Sequence, residues 1–224
     1  MSRRLSSAVT AVLLDGLAPS AADRAAEILV ACPFLDLDAA QPYFRPSFAA
    51  ASLLVVEDGF VVLRAKAAGD ARTMIICDGG PGRLVLPPTD EEVLVGLASS
   101  RLIVVSPAAR RQLLAIEGVA EILFAQLART LQQKQERIGT FGITRHRDRV
   151  RRVFLQLAQS YGKVAPDGIR IDFPVSHLVL AEMVGSSRET VTRAVDELQR
   201  DGFVARRGHR YRLLVPPESL LDEV

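Results

Sequence analysis

Residues 175–198 contain two short apolar patterns of helical period, separated by one glycine and two serines. A linker of that length predicts a tight helix–turn–helix, and it restricts the fold more than any other feature of the chain. The first pattern places Leu178, Ala181 and the pair 183–184 inward. Gly185 then supplies the positive φ that such a turn requires.

The second helix opens with Ser-Ser-Arg-Glu at 186–189, which we interpret as a capping box because Glu189 follows Ser186 by three positions. Its apolar row has the i, i+3, i+4, i+7 spacing of a buried helix face. The members of this row are Val191, Ala194, Val195 and Leu198. The outer side then carries Arg188, Glu189, Thr192, Arg193 and Asp196.

Two short strands, 203–206 and 210–215, follow Gly202 and are joined by the basic turn 207–209. A helix–turn–helix followed by a basic-tipped hairpin predicts a winged helix over the C-terminal third of the chain. The hairpin is then the wing, and the helix that begins near 187 is the recognition helix.

The recognition helix presents the groups that base reading in double-stranded DNA requires. Arg188 and Arg193 can each donate two hydrogen bonds to O6 and N7 of guanine, and Glu189 can accept one from N4 of cytosine. Hydroxyls and wing arginines can bind phosphates. The predicted phosphate ligands are Ser187, Thr190, Thr192, Arg206, Arg207 and Arg210. A structural role remains open, in which Glu189 only caps its helix and Arg193 only forms salt pairs four residues along.

The stretch 180–198, with Ser-Arg-Glu-Thr-Val-Thr-Arg at 187–193, resembles the CRP/FNR superfamily of bacterial transcription regulators. The resemblance places Arg188, Glu189 and Arg193 at the base-reading positions and implies TGTGA-like half-sites. It also implies a symmetric dimer whose recognition helices enter a palindrome about one DNA turn (~34 Å) apart. RNA polymerase is a further partner that it brings into consideration.

The charge distribution agrees with a polyanion partner for the C-terminal part. The formal net charge is only +2, yet residues 145–212 hold 14 Lys or Arg against 8 Asp or Glu. The rest of the chain is acidic, so the basic charge is concentrated where the winged helix is predicted. A merely solvated basic face is the alternative.

The N-terminal half has the texture of a small β-barrel, roll or sandwich. Short apolar runs at 52–56, 60–64, 73–77, 83–86 and 101–105 are separated by turn residues. Asp58-Gly59 between the first two runs predicts a hairpin. A helical segment, 9–30, precedes them and is interrupted by Pro19.

A long helical segment joins the two halves. Ser106-Pro107 has the form of a helix start, and apolar residues recur at steps of three or four as far as Leu131. They are Leu113, Ile116, Ala120, Leu123, Leu127 and Leu131, with a second row at Val119, Ile122 and Phe124. One helix of this kind spans about 45 Å, so we expect it to pair with its copy in a homodimer.

The predicted fold class is therefore α+β, with an N-terminal β-roll or jelly-roll-like sensor domain, a long dimerisation helix and a C-terminal winged helix–turn–helix. The predicted bounds are 1–106 for the sensor domain, 107–138 for the helix, 139–144 for a hinge at Gly-Thr-Phe-Gly, and 145–224 for the DNA-binding domain.

The family resemblance fails in the sensor half. Members that bind cyclic AMP hold its phosphate with a Gly-Glu-x-Ala-like turn and an Arg-Thr/Ser-Ala pattern. Residues 82–89 read Gly-Arg-Leu-Val-Leu-Pro-Pro-Thr without the Glu, and Arg101 has its serines on the wrong side. The sequence thus argues against cyclic AMP. It leaves open another small molecule in the barrel, no ligand at all, or a nucleotide such as a cyclic dinucleotide at the domain junction. Arginines that could bind such a nucleotide are Arg145, Arg147 and Arg149.

Other classes of protein find little support. The three histidines form no cluster with metal-ligand spacing, isolated ones such as His146 and His177 are typical surface or core groups, and no GxSxG, P-loop or GxGxxG motif occurs. An enzyme, a metal site and a bound cofactor are therefore not predicted. The remaining alternative is a winged-helix protein-interaction module that has lost specific DNA binding.

The compartment expected from the sequence is the cytoplasm. Cys32 and Cys77 lack CxxC spacing and sit among apolar residues, as buried reduced thiols do. No apolar run reaches the ~18 residues of a membrane span. The N-terminal stretch is interpreted as an amphipathic helix or arm rather than a signal peptide.

Overall fold

The computed structural model describes residues 4–66 and 73–216 of the chain, which forms two compact units. The first contains the β-rich part, and the second contains the helix–turn–helix. Their bounds are Met1–Lys66 with Ile76–Lys134, and Ala67–Ile75 with Gln135–Val224.

Two helices open the first unit. The Ser6 hydroxyl accepts a hydrogen bond from the Val9 amide (3.3 Å) and so starts α1 (Ser7–Leu13). Proline at the first helical position starts α2 (Pro19–Ala31). The buried faces of both helices pack in an apolar cluster with the β-sheet residues Leu53, Val55 and Ile103.

Among the described residues, eight strands form two four-stranded sheets, and they lie in the first unit except for the start of β5. They are β1 (Phe34–Leu37), β2 (Pro42–Tyr43), β3 (Leu53–Asp58), β4 (Val61–Lys66), β5 (Thr73–Gly79), β6 (Leu84–Val85), β7 (Glu92–Gly96) and β8 (Ser100–Val105), with a 3-10 turn at Arg45–Phe48. The strand orders are β1-β8-β3-β6 and β2-β7-β4-β5, and the pairs β1–β8, β3–β8 and β4–β7 are antiparallel. The predicted α+β class with a β-rich N-terminal part is confirmed.

The predicted hairpin at Asp58-Gly59 is wrong. β3 and β4 do flank this turn, but they belong to different sheets. Residues 53–56 and 60–63 are buried continuously rather than alternately, so both faces of each strand need cover, which a single hairpin cannot supply. The chain instead crosses between the sheets at Gly59 (φ 84°), where the Phe60 amide donates to the Ser100 hydroxyl (3.1 Å).

The segment 107–138, predicted as one helix, holds two. The Ser106 hydroxyl caps α3 (Pro107–Leu114) as predicted, but the chain then turns at Gly118 (φ 81°), and α4 (Val119–Phe141) begins after it. Only glycine readily adopts that φ, and a Cβ there would lie 2.8 Å from Cδ2 of Leu17. The 23 residues of α4 span about 35 Å rather than 45 Å.

The apolar row predicted along this segment also divides. Leu113, Ile116 and Leu123 are buried within their own unit. Four apolar side chains of α4 face solvent: Phe124, Leu127, Leu131 and Ile138. This exposed stripe, at steps of three, four and seven, is the α4 stripe below. The helix also runs through Gly139, so the non-helical residues of the predicted hinge begin only at Gly142.

The second unit is built around three helices and a four-stranded sheet. These are α5 (His146–Tyr161), α6 (His177–Val184), α7 (Arg188–Arg200) and the strands β9 (Lys163–Ala165), β10 (Gly168–Ile171), β11 (Val204–Arg207) and β12 (Arg210–Leu213), in the order β11-β12-β10-β9. The hairpin β9–β10 was not predicted, although Asp167-Gly168 is a turn signal and Gly168 has φ 126°. Large, fully buried side chains of this unit include Phe154, Leu157, Ile169, Ile171 and Leu180.

Candidate nucleic-acid interface

The turn between α6 and α7 has the geometry that the sequence predicted. Gly185 ends α6 in the left-handed region (φ 62°, ψ 46°), and its amide donates to the Ala181 carbonyl. The left-handed φ favours glycine here, and a Cβ would also lie tightly against Phe141, 3.2 Å from Cε1. The predicted position of Leu178 is wrong, since it is largely exposed while Val179 and Leu180 are buried.

The cap of α7 lies one residue later than predicted. The hydroxyl of Ser187, not Ser186, accepts from the Thr190 amide (3.2 Å) and also bonds the Thr190 hydroxyl (3.0 Å). Glu189 is then the second residue of the helix and cannot complete a capping box, which needs the third. Its carboxylate is therefore not committed to a capping box.

The two faces of α7 separate as the periodicity predicted. The apolar row is buried: Val191, Ala194, Val195 and Leu198. Arg188, Glu189 and Arg193 are exposed together on the outer side, in the first two turns of a helix about 20 Å long. Because these side chains lie near the amino end, they can converge on one short patch of a ligand.

Glu189 is held in its ionised form. A hydrogen bond from its own backbone amide lowers the pKa of the carboxyl below its ordinary value of 4.5, helped by the Ser187 hydroxyl and by the charges of Arg188 and Arg193. An ionised carboxylate can only accept hydrogen bonds. Near neutral pH this position thus offers an acceptor between two groups of donors.

The wing is the antiparallel pair β11 and β12, joined by a two-residue turn. Gly208 opens the turn with φ 63°, the sign that a tight hairpin requires at its first position. Arg207 and Arg210 face each other across the last pair of the ladder, and both are exposed. The tip of the wing thus carries two accessible cations.

Arg206 is placed differently from the other two wing arginines. Its Nε donates to the Gly208 carbonyl (2.6 Å), one of its terminal nitrogens lies 2.9 Å from Nε2 of His177, and its guanidinium lies over the ring of Tyr211. Arg206 is exposed as well, but these contacts hold its guanidinium against His177 of α6.

His177 also bonds the recognition helix, although the sequence analysis interpreted it only as a typical surface or core histidine. Its Nδ1 lies 2.8 Å from the Thr192 hydroxyl, which itself donates to the Arg188 carbonyl (2.9 Å). In this arrangement the Thr192 hydroxyl proton is directed to the Arg188 carbonyl, and a phosphate contact of Thr192 stays a prediction. The available sequence signal was the histidine at the first position of α6, which only the tertiary fold brings opposite Arg206.

The arginines at the start of α5 have partners inside their own unit. Arg147 pairs with Asp201 and Asp148, while Arg149 donates to the carbonyls of Ile143 and Val184. These bonds account for basic residues at a helix N-terminus, where the macrodipole opposes them. Arg145, the third arginine considered for nucleotide binding, is exposed and takes no part in these bonds.

The first unit contains a cleft of about 400 Å³ beside the break between α3 and α4. The loop 16–18, the junction 116–118 and Arg24 line it. The glycine-rich loop where a cyclic phosphate would be sought packs against α1 at Gly82, where a Cβ would lie 2.6 Å from the Ala8 carbonyl oxygen.

Some other features of the described residues bear on the class of protein. Cys32 and Cys77 are buried thiols. Within residues 4–66 and 73–216, no three His, Cys, Asp or Glu side chains are grouped as metal ligands. In the same part of the chain, no helix combines the length and apolarity that a membrane span needs.

Together, the tight helical turn, the exposed polar face of α7 and the basic hairpin define a winged helix–turn–helix protein. Residues 148–222 match the family model of the Crp-like helix-turn-helix domain. This part of the chain is therefore similar to the DNA-binding domain of Crp-like proteins.

Known proteins support this placement. The global nitrogen regulator of Synechocystis sp. is 43% identical over 63 residues, which cover 27% of this chain and 28% of that protein. The global nitrogen regulator of Synechococcus elongatus is 34% identical over 100 residues, 43% of each protein. The chain thus matches less than half the length of these curated relatives. A CooA mutant from Carboxydothermus hydrogenoformans shares the fold, with TM-score 0.73, 15% identity and coverage of 99% of this chain and 97% of that one.

Proposed function

We propose that this protein is a sequence-specific DNA-binding transcription regulator. The observation that carries the proposal is the joint exposure of Arg188, Glu189 and Arg193 on the outer side of α7. In the major groove, the two arginines can donate to guanine, and the ionised carboxylate of Glu189 between them can accept from cytosine. The family resemblance assigns these residues to a TGTGA-like half-site.

Phosphate contacts come from both ends of the motif. Arg207 and Arg210 at the wing tip supply cations without sequence preference. Ser187 and Thr190 lie at the amino end of α7, where the helix dipole also favours an anion. Arg206 joins this group only if it leaves His177.

Dimerisation would place two such surfaces on one palindrome. The α4 stripe supports dimerisation, because Phe124 is 74% exposed and Ile138 is 69% exposed. Exposure of such large apolar side chains to water is unfavourable, and a row of them marks an interaction surface. The stripe follows the three-four spacing of a coiled-coil seam, and pairing with a second copy would bury it. Two recognition helices would then lie about 34 Å apart, one turn of B-DNA.

Control by an effector other than cyclic AMP forms part of the proposal. The phosphate-binding residues of the cyclic AMP pattern are missing, and the loop that would carry them packs against α1. The cleft beside Gly118 has the volume of a small-molecule site.

The decisive experiment measures the affinity of the purified full chain for a labelled TGTGA-type palindrome and for a scrambled duplex, at two salt concentrations. We expect salt-sensitive binding that prefers the palindrome, and loss of this preference in Arg188→Ala. Arg200→Ala is the matched control, because Arg200 is exposed on the same helix but in its last turn. Weak, unselective binding, unchanged by cyclic AMP or a cyclic dinucleotide, would contradict the proposed site and favour the interaction-module alternative.

A further inference from the structure

His177 occupies a position from which one side chain can control two parts of the proposed DNA surface. It is the first residue of α6, it is partly buried, and its two ring nitrogens bond Thr192 of α7 and Arg206 of the wing. The recognition helix also contacts the wing directly, between α7 and β11. The imidazole adds a hydrogen-bonded link between the base-reading element and the phosphate-binding element.

The bonding pattern requires a neutral ring. Arg206 can only donate, so Nε2 must be the acceptor and must lack a proton. Nδ1 then carries the proton and donates to the Thr192 hydroxyl, which in turn donates to the Arg188 carbonyl. One directional chain of hydrogen bonds thus runs from the wing to the first turn of the recognition helix.

A second proton would break this chain at one end. An Nε2–H group cannot accept from Arg206, and the two cations would repel each other at a separation of 2.9 Å. The Nδ1–H bond to Thr192 would survive. Arg206 would thereby lose one of its two hydrogen bonds and could extend toward solvent.

The charges around the ring are mostly positive. Arg206 and His209 face it from the wing, Arg188 and Asp196 from α7, and only Asp196 favours a proton on it. Burial lowers the pKa of His177 below its ordinary value of 6.5, and the Arg206 charge lowers it further. The uncharged phenol of Tyr211, under Arg206, leaves this balance unchanged near neutral pH.

We propose that His177 is a proton-responsive positioning residue of the DNA surface, which withholds Arg206 when neutral and releases it for phosphate binding when protonated. The inference rests on the proposed function. DNA phosphates near the wing would oppose the local positive charge and favour the protonated ring, so DNA binding takes up a proton at each His177. The affinity for DNA then rises as the pH falls. The total gain is about tenfold per subunit for each unit by which bound DNA raises the pKa of His177.

The test measures DNA affinity at fixed salt between about pH 5.5 and 8 for the wild type and for His177→Gln. Glutamine can still accept from Arg206 but does not titrate. We expect the wild type to gain affinity on acidification and His177→Gln to lose most of that gain. His146→Gln, at the start of α5, is the matched control that should keep it. An unchanged pH slope in His177→Gln would overturn the proposal.

A second readout needs no DNA. The ring ¹⁵N shifts of His177 should show a neutral Nδ1–H tautomer near pH 7.5, and the Nε–H signal of Arg206 should move with the His177 titration. The proposal would be contradicted by any of three results: a ring already charged at that pH, an Nε2–H tautomer, or an Arg206 signal that does not follow the titration. If the full chain bound no DNA at any pH, the proposed function would fail, while this measurement would still decide whether His177 holds Arg206.

Discussion

The ring of Phe141 closes the space beside Gly185, because a Cβ on that glycine would lie 3.2 Å from Cε1 of the ring. The last residue of α4 thus packs against the turn between α6 and α7. The φ of 62° favours glycine at this turn, and the nearby ring makes any added Cβ a tight contact.

Gly185→Ala should destabilise the second unit by about 1–3 kcal/mol, since it combines left-handed strain with a close contact. Urea unfolding followed by tyrosine emission would measure it, as Tyr161 and Tyr211 belong to this unit. Gly139→Ala is the control, because Gly139 is helical with open space around its Cα and should gain about 0.5–1 kcal/mol. Equal effects of the two substitutions would contradict this account.

Removal of the cap at Ser187 should weaken α7. Ser187→Ala loses the bond to the Thr190 amide and should cost about 1 kcal/mol in the free energy of unfolding. Ser186→Ala should be close to neutral, because Ser186 precedes the cap. The opposite ranking in urea unfolding would restore the predicted capping box.

The wing arginines should contribute affinity without sequence choice. Arg207→Ala should weaken binding to the palindrome and to the scrambled duplex alike. It should reduce the slope of log K against log salt by about 0.9 for each phosphate contact removed, hence about 1.8 in a dimer. Arg193→Ala should instead reduce the preference, at about 1–3 kcal/mol per base contact. A loss of selectivity in Arg207→Ala would show that the wing reads bases.

The α4 stripe should hold the dimer together. Leu131→Glu should weaken self-association on the order of 100-fold, since like charges would face each other across the seam. Ala125→Glu adds the same charge to an exposed position of α4 off the stripe and should leave the dimer intact. Sedimentation equilibrium distinguishes them, and an unaffected Leu131→Glu dimer would exclude the stripe as the interface.

Stability of the second unit should depend on the protonation of His177. Burial and Arg206 lower its pKa in the folded state, so the unfolded chain binds the proton more tightly. Stability is therefore complete above the ordinary value of 6.5 and declines as the pH falls below it, toward the lower folded pKa. Unfolding free energies of His177→Gln should decline less over the same range. A steeper decline in the variant would contradict this sign.

Local signals in the sequence were sufficient to predict the winged helix. Gly185 could only be a positive-φ turn, and the row from Val191 to Leu198 has one buried face at helical period whatever it packs on. Ser106-Pro107 likewise marked the start of α3 without reference to the rest of the chain. Features of this kind depend on neighbours within about one turn, so the order of residues alone determines them.

Long-range pairing decided the rest. Asp58-Gly59 has the composition of a hairpin, yet β3 and β4 separate because each gains more by burying both faces between other strands. Leu123 and Leu127 share one apolar row in the sequence, but packing in the first unit covers Leu123 and leaves Leu127 exposed. His177 and Arg206 are 29 residues apart, and nothing in either neighbourhood indicates that they meet. Only the fold, by setting the first turn of α6 against the wing, makes that histidine part of the proposed DNA surface.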